Sequence, residues 1–571
     1  MPIVRTGGQI LVDSLQIQGV DMAFGVPGES YLAVLDALHD STIRFIVNRQ
    51  EGGAAFMAEA YGKLTGRPGI CFVTRGPGAT NASIGLHTAQ QDSTPLIVFI
   101  GQVGNDFVER EAFQEIDYRR MFGHVCKWVA QVDRAERIPE YVARAFQVAT
   151  SGRPGPVVLA LPEDMLTALA SVDDTARYQP VQAAPALQQM TQLRDRLDAA
   201  ARPLVLLGGS GWDHAACEAI EQFAERNQLP IACVFRRQDL FDNAHPNYIG
   251  DVGIGINPAL AKRITDADLI LAIGARLGEM TTGGYQLLQA PRPVQKLIHV
   301  HADAQELGRV YQADQMINSG MPQIAAALLA MTPLATHAQQ RRDQLTQARS
   351  AYLQWQAEPA IFADPAMRLN LWRVMQTLRE AMPVDTILTN GAGNFASWGH
   401  RFWQYGNRDS TLRTQLAPTS GAMGYGVPAG IAAALLGTQP VLTLTGDGDF
   451  MMNGQELATA VQYGARVLFI VFNNRMFGTI RMHQERNYPA RISGTELHNP
   501  DFAALARAYG AFGESVEATD QFTDVLQRAL AHLRGQAGPA LIELRYDGNL
   551  ITPSATLNGI REQANKASSK Q

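Results

Sequence analysis

Two short polar turns in the second half of the sequence contain the residue types of a phosphate and metal site. A Gly-Asp-Gly turn centred on Asp447 follows the apolar run Val441–Leu444, and an Asn-Asn pair ending at Asn474 follows the apolar run Val467–Phe472. Glycine allows backbone N–H groups to approach phosphate oxygens, and Mg²⁺ prefers carboxylate and amide oxygens. Both turns are expected at the carboxyl edge of one parallel sheet, which predicts a magnesium–diphosphate site there. The alternative is a glycine turn near a loop that two asparagines cap.

A glutamate near the N-terminus is the candidate for proton transfer. Glu51 precedes a predicted helix that opens with Gly52 and Gly53 and continues with mostly small, apolar residues at 54–60. We therefore expect Glu51 to lie buried at an apolar interface, where burial raises the pKa of a carboxyl group and suits proton exchange near neutral pH. The alternative is a helix-start glutamate that the helix dipole stabilises.

The pattern of the whole chain predicts the elements that must hold these residues. Short apolar runs alternate with amphipathic helical stretches, which is typical of parallel α/β sheets. Two linker-like stretches, Ser171–Met190 and Met331–Pro365, divide the chain into three blocks of ordinary domain size, and the polar tail Asn565–Gln571 is expected to fray. The predicted buried strands are Gly69–Val73, Leu96–Ile100, Val157–Leu161, Leu204–Leu207, Pro230–Val234, Leu269–Ile273, Leu297–His301, Thr386–Leu388, Val441–Leu444, Val467–Phe472 and Ala540–Leu544.

Composition excludes several classes of protein. The chain has 571 residues, 46% of them hydrophobic and 18% charged, and its net charge of −6 includes no basic run for a nucleic-acid partner. No apolar run has membrane-spanning length, and the N-terminus resembles a first helix rather than a secretion signal. The four cysteines are far apart and form no CxxC pair, which favours a reducing cytoplasm over a disulfide framework.

The Gly-Asp-Gly turn, the 24 residues 449–472 and the Asn-Asn pair together resemble the signature of thiamine-diphosphate enzymes. The resemblance implies that the backbone carbonyl of Met476 joins Asp447 and Asn474 as a ligand of Mg²⁺. It also implies that Glu51 protonates the aminopyrimidine ring of thiamine diphosphate, whose imino nitrogen then deprotonates the thiazolium carbon. The resulting ylide is the nucleophile and electron sink, so the difficult chemistry belongs to the cofactor.

Further segments match the loops that hold this cofactor in the family. The resemblance implies that Met423 supports the bent form of the cofactor and that the carbonyl of Gly421 accepts from its amino group; the alternative for Met423 is ordinary core packing. The predicted cofactor-binding residues are Val26, Pro27, Gly28, Gly76, Asn81, Gly393, Asn394, Phe395, Gly421, Met423, Gly446, Asp447, Gly448, Asp449, Asn474, Met476, Phe477 and Gly478.

From about residue 5 to 555 the chain resembles the acetolactate synthase branch of this family. Gln114 matches the active-site glutamine of the branch, and with Glu51 it is a predicted catalytic residue. The matching segments, in chain order, are GVPGES (25–30), RQEGGAAF (49–56), GICFVTRGPGATN (69–81), PLIVFIGQV (95–103), EAFQE (111–115), SGRPGPVVLALPEDM (151–165), LLGGSG (206–211), IGARLGE (273–279) and IHVHAD (298–303).

Several positions depart from the biosynthetic members of the branch. Met280 and His483 stand in place of an arginine and a tryptophan that help to select the second 2-oxo acid, and Gln50 stands in place of a histidine. Arg481 and His483 are candidates for contacting a different substrate group; the alternative is a solvated turn. His301 occupies the position of an acidic residue in the flavin-holding domain, so binding of FAD is uncertain, and we expect it to be weak, absent or replaced by another nucleotide.

The resemblance implies an α/β fold with three doubly wound parallel-sheet domains. We predict a pyrimidine-binding domain at 1–180, a central Rossmann-like domain at 190–340 and a diphosphate-binding domain at 365–555. The predicted activity is decarboxylation of a 2-oxo acid, pyruvate in the first place, with ligation of the enamine to a carbonyl acceptor. A homodimer or homotetramer with active sites at the subunit interface is implied. The alternatives are a 2-oxo acid decarboxylase or C–C lyase, and a degenerate cofactor-binding sensor or scaffold.

Overall fold

The computed structural model describes residues 4–363, 367–406, 413–437, 439–535 and 538–568. Three six-stranded sheets form its framework, and every strand pair within them is parallel. Successive residues of the strand Gly69–Val73 enter two different hydrophobic clusters, so both faces of the first sheet are covered. The predicted α/β class with three doubly wound sheets is confirmed.

The first sheet is formed by residues between 22 and 162. Its strands, in spatial order, are Arg44–Val47, Met22–Gly25, Gly69–Val73, Leu96–Gln102, Pro156–Pro162 and Trp128–Gln131. The chain reverses its direction of winding between the second and third of these strands, and such a switch point opens a crevice at the carboxyl edge of the sheet. The accompanying helices are Gly7–Ile17, Leu32–His39, Glu51–Thr65, Gly76–Asp92, Tyr118–Phe122, Ile138–Thr150 and Glu163–Thr167.

The third sheet repeats the strand order of the first. Its strands, in spatial order, are Gln415–Leu416, Ile387–Asn390, Val441–Gly446, Val467–Asn473, Ala540–Arg545 and Phe512–Val516. The switch point lies between the second and third of them, beside the Gly-Asp-Gly turn. The helices are Leu371–Ala381, Ala396–Phe402, Gly426–Leu436, Asp447–Asn453, Leu457–Gln462, Gly478–Asn487, Phe502–Ala508, Thr519–Gly535 and Leu557–Ser568.

The central sheet has a different order, the one found in dinucleotide-binding folds. Its strands, in spatial order, are Tyr248–Val252, Ile231–Val234, Pro203–Leu207, Leu269–Ile273, Lys296–His301 and Gln315–Asn318. The helices are Leu187–Ala199, His214–Asn227, Pro258–Asp266, Met321–Ala330 and Ala338–Trp355. Two antiparallel pairs, Val4–Thr6 with Leu169–Ser171 and Leu550–Thr552 with Ala555–Thr556, lie outside the three sheets.

All the predicted strands are present, with ends that differ by at most two residues. The strands that we missed are short, and most lie at sheet edges, where sequence patterns are weakest because only one neighbour pairs with them. The second predicted linker contains the helix Ala338–Trp355, and its end at Pro365 lies outside the described residues. The predicted fraying from Asn565 is wrong as far as Ser568, because a helix continues to that residue. The limits that we predict for the three domains remain predictions.

The first and third sheets share one hydrophobic cluster within the chain. Helix Glu51–Thr65 crosses helix Gly426–Leu436, and the ring of Phe56 meets the ring of Tyr425 edge to face at 5.3 Å. This contact fixes the helix that begins at Glu51 against the part of the chain that carries the Gly-Asp-Gly turn. Within the described ranges, no helix is both long and apolar enough to cross a membrane.

Candidate active site

The Gly-Asp-Gly turn lies where strand Val441–Gly446 leads directly into helix Asp447–Asn453. The Asp447 carboxylate is buried; its Oδ1 accepts from the backbone N–H of Gly448 at 2.9 Å, and its Oδ2 accepts from Nδ2 of Asn499 at 2.8 Å. Burial raises the pKa of Asp447, and the hydrogen bonds oppose that rise. No basic side chain among the described residues forms an ion pair with Asp447, so its negative charge is one that a bound cation would balance.

The Asn-Asn pair follows on the neighbouring strand. Nδ2 of Asn473 donates to Oε1 of the buried Glu543 at 2.7 Å, so this side chain belongs to the sheet edge. Oδ1 of Asn474 accepts from the backbone N–H of Met476 at 3.3 Å within the turn. The backbone N–H groups of Arg475 and Met476 help to lower the pKa of Asp447, and Nδ2 of Asn499 bridges Asp447 to Asn473. The turn and Asp447 therefore lie together.

The oxygens at this edge fit a magnesium ion. Asp447 offers a carboxylate, Asn474 an amide oxygen and Met476 a backbone carbonyl, which are hard ligands of the kind that Mg²⁺ takes, with phosphate oxygens and water completing six. Sequence reasoning missed Asn499, whose Nδ2 donates both to Asp447 and to Oδ1 of Asn473 at 3.0 Å. The only signal was the Asn-Pro dipeptide at 499–500, which indicates a turn but not its position.

Asp449 holds the surrounding loops in place. Its buried carboxylate accepts from the backbone N–H of Gly424 at 2.8 Å, from that of Ala392 at 3.0 Å and from Oγ1 of Thr445 at 2.7 Å. Burial raises the pKa of Asp449 to about 6. A Cβ on Gly391 would lie 2.0 Å from Oδ1 of Asp449, so only glycine allows this approach. We predicted Asp449 as a cofactor-binding residue; its hydrogen bonds go to protein loops.

The other predicted residues of this half lie around the same edge. Oδ1 of Asn394 accepts from Oγ1 of Thr479 at 3.0 Å, which joins the loop after the first strand to the helix that begins at Gly478. Met423 is half-buried in the loop that Asp449 holds. The remaining predicted members of this group are Gly393, Phe395, Gly421, Gly446, Gly448 and Phe477, with the rings of Phe395 and Phe477 against Gly446 and Gly448.

A second group lies at the carboxyl edge of the first sheet. Glu51 is the first residue of its helix, and its Oε2 accepts from Nδ2 of Asn81 at 2.9 Å. The carbonyl of Gln114, a residue with a left-handed φ of 67°, accepts from the backbone N–H of Gly76 at 3.0 Å. The segment Val26, Pro27 and Gly28 follows the neighbouring strand, and Gly28 lies against Thr74.

The predicted burial of Glu51 is not found within the chain. Its side chain is half-buried, because the start of the helix lies at the molecular surface. No hydrogen bond or ion pair among the described residues joins a site residue of one sheet edge to one of the other. Exposed apolar side chains lie near both groups, including Phe113, which is 73% exposed, and Met451, which is 51% exposed. Among the described residues, the two groups therefore form two separate clusters of candidate site residues.

The two candidate substrate residues occupy different environments. Arg481 is buried, and its Nε donates to Oε1 of Glu485 at 3.1 Å. Arg561 of the C-terminal helix donates to both oxygens of Glu485 at 2.7 Å, and these bonds hold the pKa of Glu485 down to about 2. Arg481 is thus engaged in an ion-pair network that fastens the C-terminal helix, whereas His483 is exposed.

The paired sheets of identical strand order, with an Asp-Asn oxygen site on one and a surface glutamate on the other, define a thiamine-diphosphate-binding enzyme. Three sequence families match the chain: the N-terminal TPP binding domain of thiamine pyrophosphate enzymes at 5–121, their central domain at 190–328 and their C-terminal TPP binding domain at 391–544.

Relatives across three groups of organisms extend the match to nearly the whole chain. Acetolactate synthase isozyme 2 large subunit of Escherichia coli is 30% identical over 546 residues, 95% of each chain. Acetolactate synthase of Mycobacterium bovis is 32% identical over 545 residues, 92% of this chain and 86% of the relative. The mitochondrial acetolactate synthase catalytic subunit of Saccharomyces cerevisiae is 30% identical over 570 residues, 95% of this chain and 81% of the relative. The chain belongs to the acetolactate synthase family of thiamine pyrophosphate enzymes.

Proposed function

We propose that this enzyme decarboxylates a 2-oxo acid, pyruvate in the first place, and joins the remaining two-carbon unit to a carbonyl acceptor. The uncompensated Asp447 carboxylate beside Asn474, in an enzyme of this family, is the observation that carries the proposal. Bound thiamine diphosphate would supply the nucleophile and electron sink for decarboxylation. Asp447, Asn474 and the carbonyl of Met476 would hold Mg²⁺ and through it the diphosphate. Glu51 would exchange a proton with the aminopyrimidine ring.

We propose that a second copy of the chain completes each site. Glu51 and Asn81 of one copy would meet the metal edge of the other, which would bury Glu51 as its role in proton transfer requires. The exposed Phe113 and Met451 are apolar surface that such an assembly would cover. A homodimer or homotetramer follows. The four cysteines are free, which fits an enzyme of the cytoplasm.

The residues that would bind the acceptor, the second substrate, are those in which this chain differs from its biosynthetic relatives. Met280 is 37% exposed and carries no charge to pair with the carboxylate of a second 2-oxo acid. A charge-assisted hydrogen bond of that kind contributes about 1.5–3 kcal/mol. A second 2-oxo acid should therefore be held less tightly than in the biosynthetic enzymes, and aldehydes should compete better.

Product analysis tests this proposal. With pyruvate alone we expect slow acetolactate formation, and with pyruvate plus an aldehyde we expect the aldehyde-derived hydroxyketone to dominate, because Met280 offers no partner for a carboxylate. Chromatography of the two incubations measures both products. Efficient acetolactate formation with no hydroxyketone would contradict the altered acceptor site. Acetaldehyde as the sole product would favour a decarboxylase, and no turnover with any 2-oxo acid would favour a sensor or scaffold.

The central sheet does not fit a flavin dinucleotide well. His301 is buried and its Nδ1 accepts from the backbone N–H of Asp303 at 3.0 Å, and burial lowers the pKa of His301 to about 4, so it stays neutral where an acidic side chain would bind a ribose hydroxyl. Arg276, at the same edge, donates to the carbonyl of Gln91 at 3.1 Å and pairs with Glu306 at 3.4 Å. The guanidinium of Arg276 is therefore engaged by the protein.

We therefore propose that FAD binds weakly, is absent or is replaced by another nucleotide. The purified enzyme is expected to lack stoichiometric flavin in its visible absorbance spectrum, and added FAD is expected to bind without saturating at one per chain. Mass spectrometry of the small molecules released on denaturation would identify a substituted nucleotide. A yellow protein with one flavin per chain would refute the proposal.

A further inference from the structure

A buried glutamate of the third sheet's helices holds the start of the helix that carries Glu51. Glu456 has no solvent exposure. Its Oε1 accepts from the backbone N–H groups of Arg49 at 3.0 Å and Gln50 at 3.1 Å, and its Oε2 accepts from Nδ2 of Asn48 at 3.2 Å. Oγ1 of Thr459 donates to the same Oε2 at 2.6 Å. Four donors therefore surround this carboxylate, two at each oxygen, so both oxygens must act as hydrogen-bond acceptors.

The neighbouring glycine makes this contact possible. A Cβ on Gly53 would lie 2.6 Å from Oε1 of Glu456, so the carboxylate approaches the first turn of the helix directly. Oε1 of Gln50 caps the helix by accepting from the backbone N–H of Gly53 at 3.1 Å. The three residues that precede Glu51 are therefore fixed by one side chain, and the position of Glu51 follows from theirs.

Glu456 also connects this point to the metal edge. Three successive helical segments lead from Asp447 to Gln462: the helix Asp447–Asn453, the 3₁₀ turn Gly454–Glu456 and the helix Leu457–Gln462, with a break at Asn453, whose φ is −139°. Glu456 follows Asp447 by nine residues, and the backbone between them changes course at Asn453.

We propose that Glu456 is a positioning residue for Glu51: by holding residues 48–50 it sets the place of the proton-transfer carboxylate. The inference rests on the proposed function, in which Glu51 serves the cofactor held by a second copy of the chain. A purely structural cap would stabilise the fold without affecting proton transfer.

The substitution Glu456→Gln separates these roles. The amide keeps the size of the side chain but offers one acceptor oxygen, so either the backbone N–H groups or the Asn48 and Thr459 donors face an NH₂ group. The readout is the exchange of the thiazolium proton of bound thiamine diphosphate with deuterium, followed by NMR after acid quench and without substrate. We expect exchange to slow by about 10- to 100-fold, the scale of an ångström-size misplacement, while the affinities for thiamine diphosphate and Mg²⁺ stay close to wild type.

Glu59→Gln is the matched control. Glu59 is fully buried on the same helix as Glu51 and bonds to Thr94 at 2.6 Å and to Tyr425, away from residues 48–50. It should lose thermal stability and keep the exchange rate. If Glu456→Gln fails to fold, Gly53→Ala displaces the same carboxylate without removing its charge and should slow exchange similarly.

The outcomes are distinct. Normal exchange in folded, cofactor-loaded Glu456→Gln or Gly53→Ala would overturn the positioning role and leave the proposed function intact. Equal slowing in Glu59→Gln would also overturn it, because general destabilisation would then suffice. Absence of exchange in the wild-type enzyme would overturn the proposed function itself, and the inference with it.

Discussion

Asp447→Ala is expected to abolish the magnesium-dependent retention of thiamine diphosphate. The carboxylate is the one charged ligand in the predicted donor set, and its removal leaves the neutral oxygens of Asn474 and Met476. We expect the affinity for thiamine diphosphate in the presence of Mg²⁺ to fall by on the order of 100-fold or more, which corresponds to about 2.7 kcal/mol. Isothermal titration calorimetry with and without Mg²⁺ measures the change.

Asp501→Ala is the matched control for this experiment. Asp501 caps a helix near the same sheet edge, where its Oδ1 accepts from the backbone N–H of Ala504 at 2.8 Å, and it is exposed. The control loses the same charge from the same region and should keep wild-type affinity for the cofactor. Unchanged affinity in Asp447→Ala would contradict the assignment of the metal site.

Glu51→Gln is expected to retain the cofactor and lose most of the activity. The amide oxygen of the new side chain can still accept from Asn81, so the local structure should persist, but an amide cannot exchange a proton with the aminopyrimidine ring. General acid–base catalysis contributes roughly 10²- to 10⁴-fold to a rate, and we expect a loss in that range. Steady-state rates of pyruvate consumption at saturating thiamine diphosphate, with cofactor occupancy determined in parallel, measure the effect.

Glu29→Gln is the matched control for Glu51→Gln, because it also replaces a glutamate by glutamine at the same edge of the first sheet. Glu29 is an exposed residue whose Oε1 lies 3.2 Å from Nη1 of Arg75. Arg75 is buried and keeps its ion pair with Glu163 at 2.6 Å in this variant, so activity should stay near wild type. Near-normal turnover in cofactor-loaded Glu51→Gln would show that another group activates the ring.

The residues of the candidate metal site could be predicted from the sequence. The Gly-Asp-Gly turn and Asn474 follow apolar runs, and the carboxyl ends of parallel strands must meet at one edge, so their juxtaposition could be predicted before the fold was known. Long apolar runs such as Val467–Phe472 identified buried strands because both faces of a parallel sheet are covered. Short strands such as Gln415–Leu416 could not be predicted, because two residues are too few to show the hydrophobic pattern of a strand.

The hydrogen-bond and ion-pair partners of individual side chains could not be predicted in the same way. The bonds of the Asp449 carboxylate to the backbone of Gly424 and Ala392, which lie 25 and 57 residues earlier in the chain, could not be predicted, and its contact with the cofactor stays a prediction. The bond of Arg481 to Glu485, which also binds Arg561 from 76 residues further along the chain, could not be predicted either, and the role of Arg481 toward the substrate stays a prediction. Such choices depend on which elements pack together, and a local pattern does not contain that information.

The sequence by itself determined the class of fold, the strands that carry the site and the chemical identity of the candidate metal ligands, because strand period, glycine turns and ligand type are local properties. Only the tertiary structure decided that Glu51 lies half-exposed at the surface, that Asn499 supports Asp447, and that Glu456 holds the start of the Glu51 helix. Each of these depends on contacts between residues that are distant in the chain. The physical reason is that burial and hydrogen-bond partners are set by how the sheets and helices dock, and docking is a property of the whole molecule.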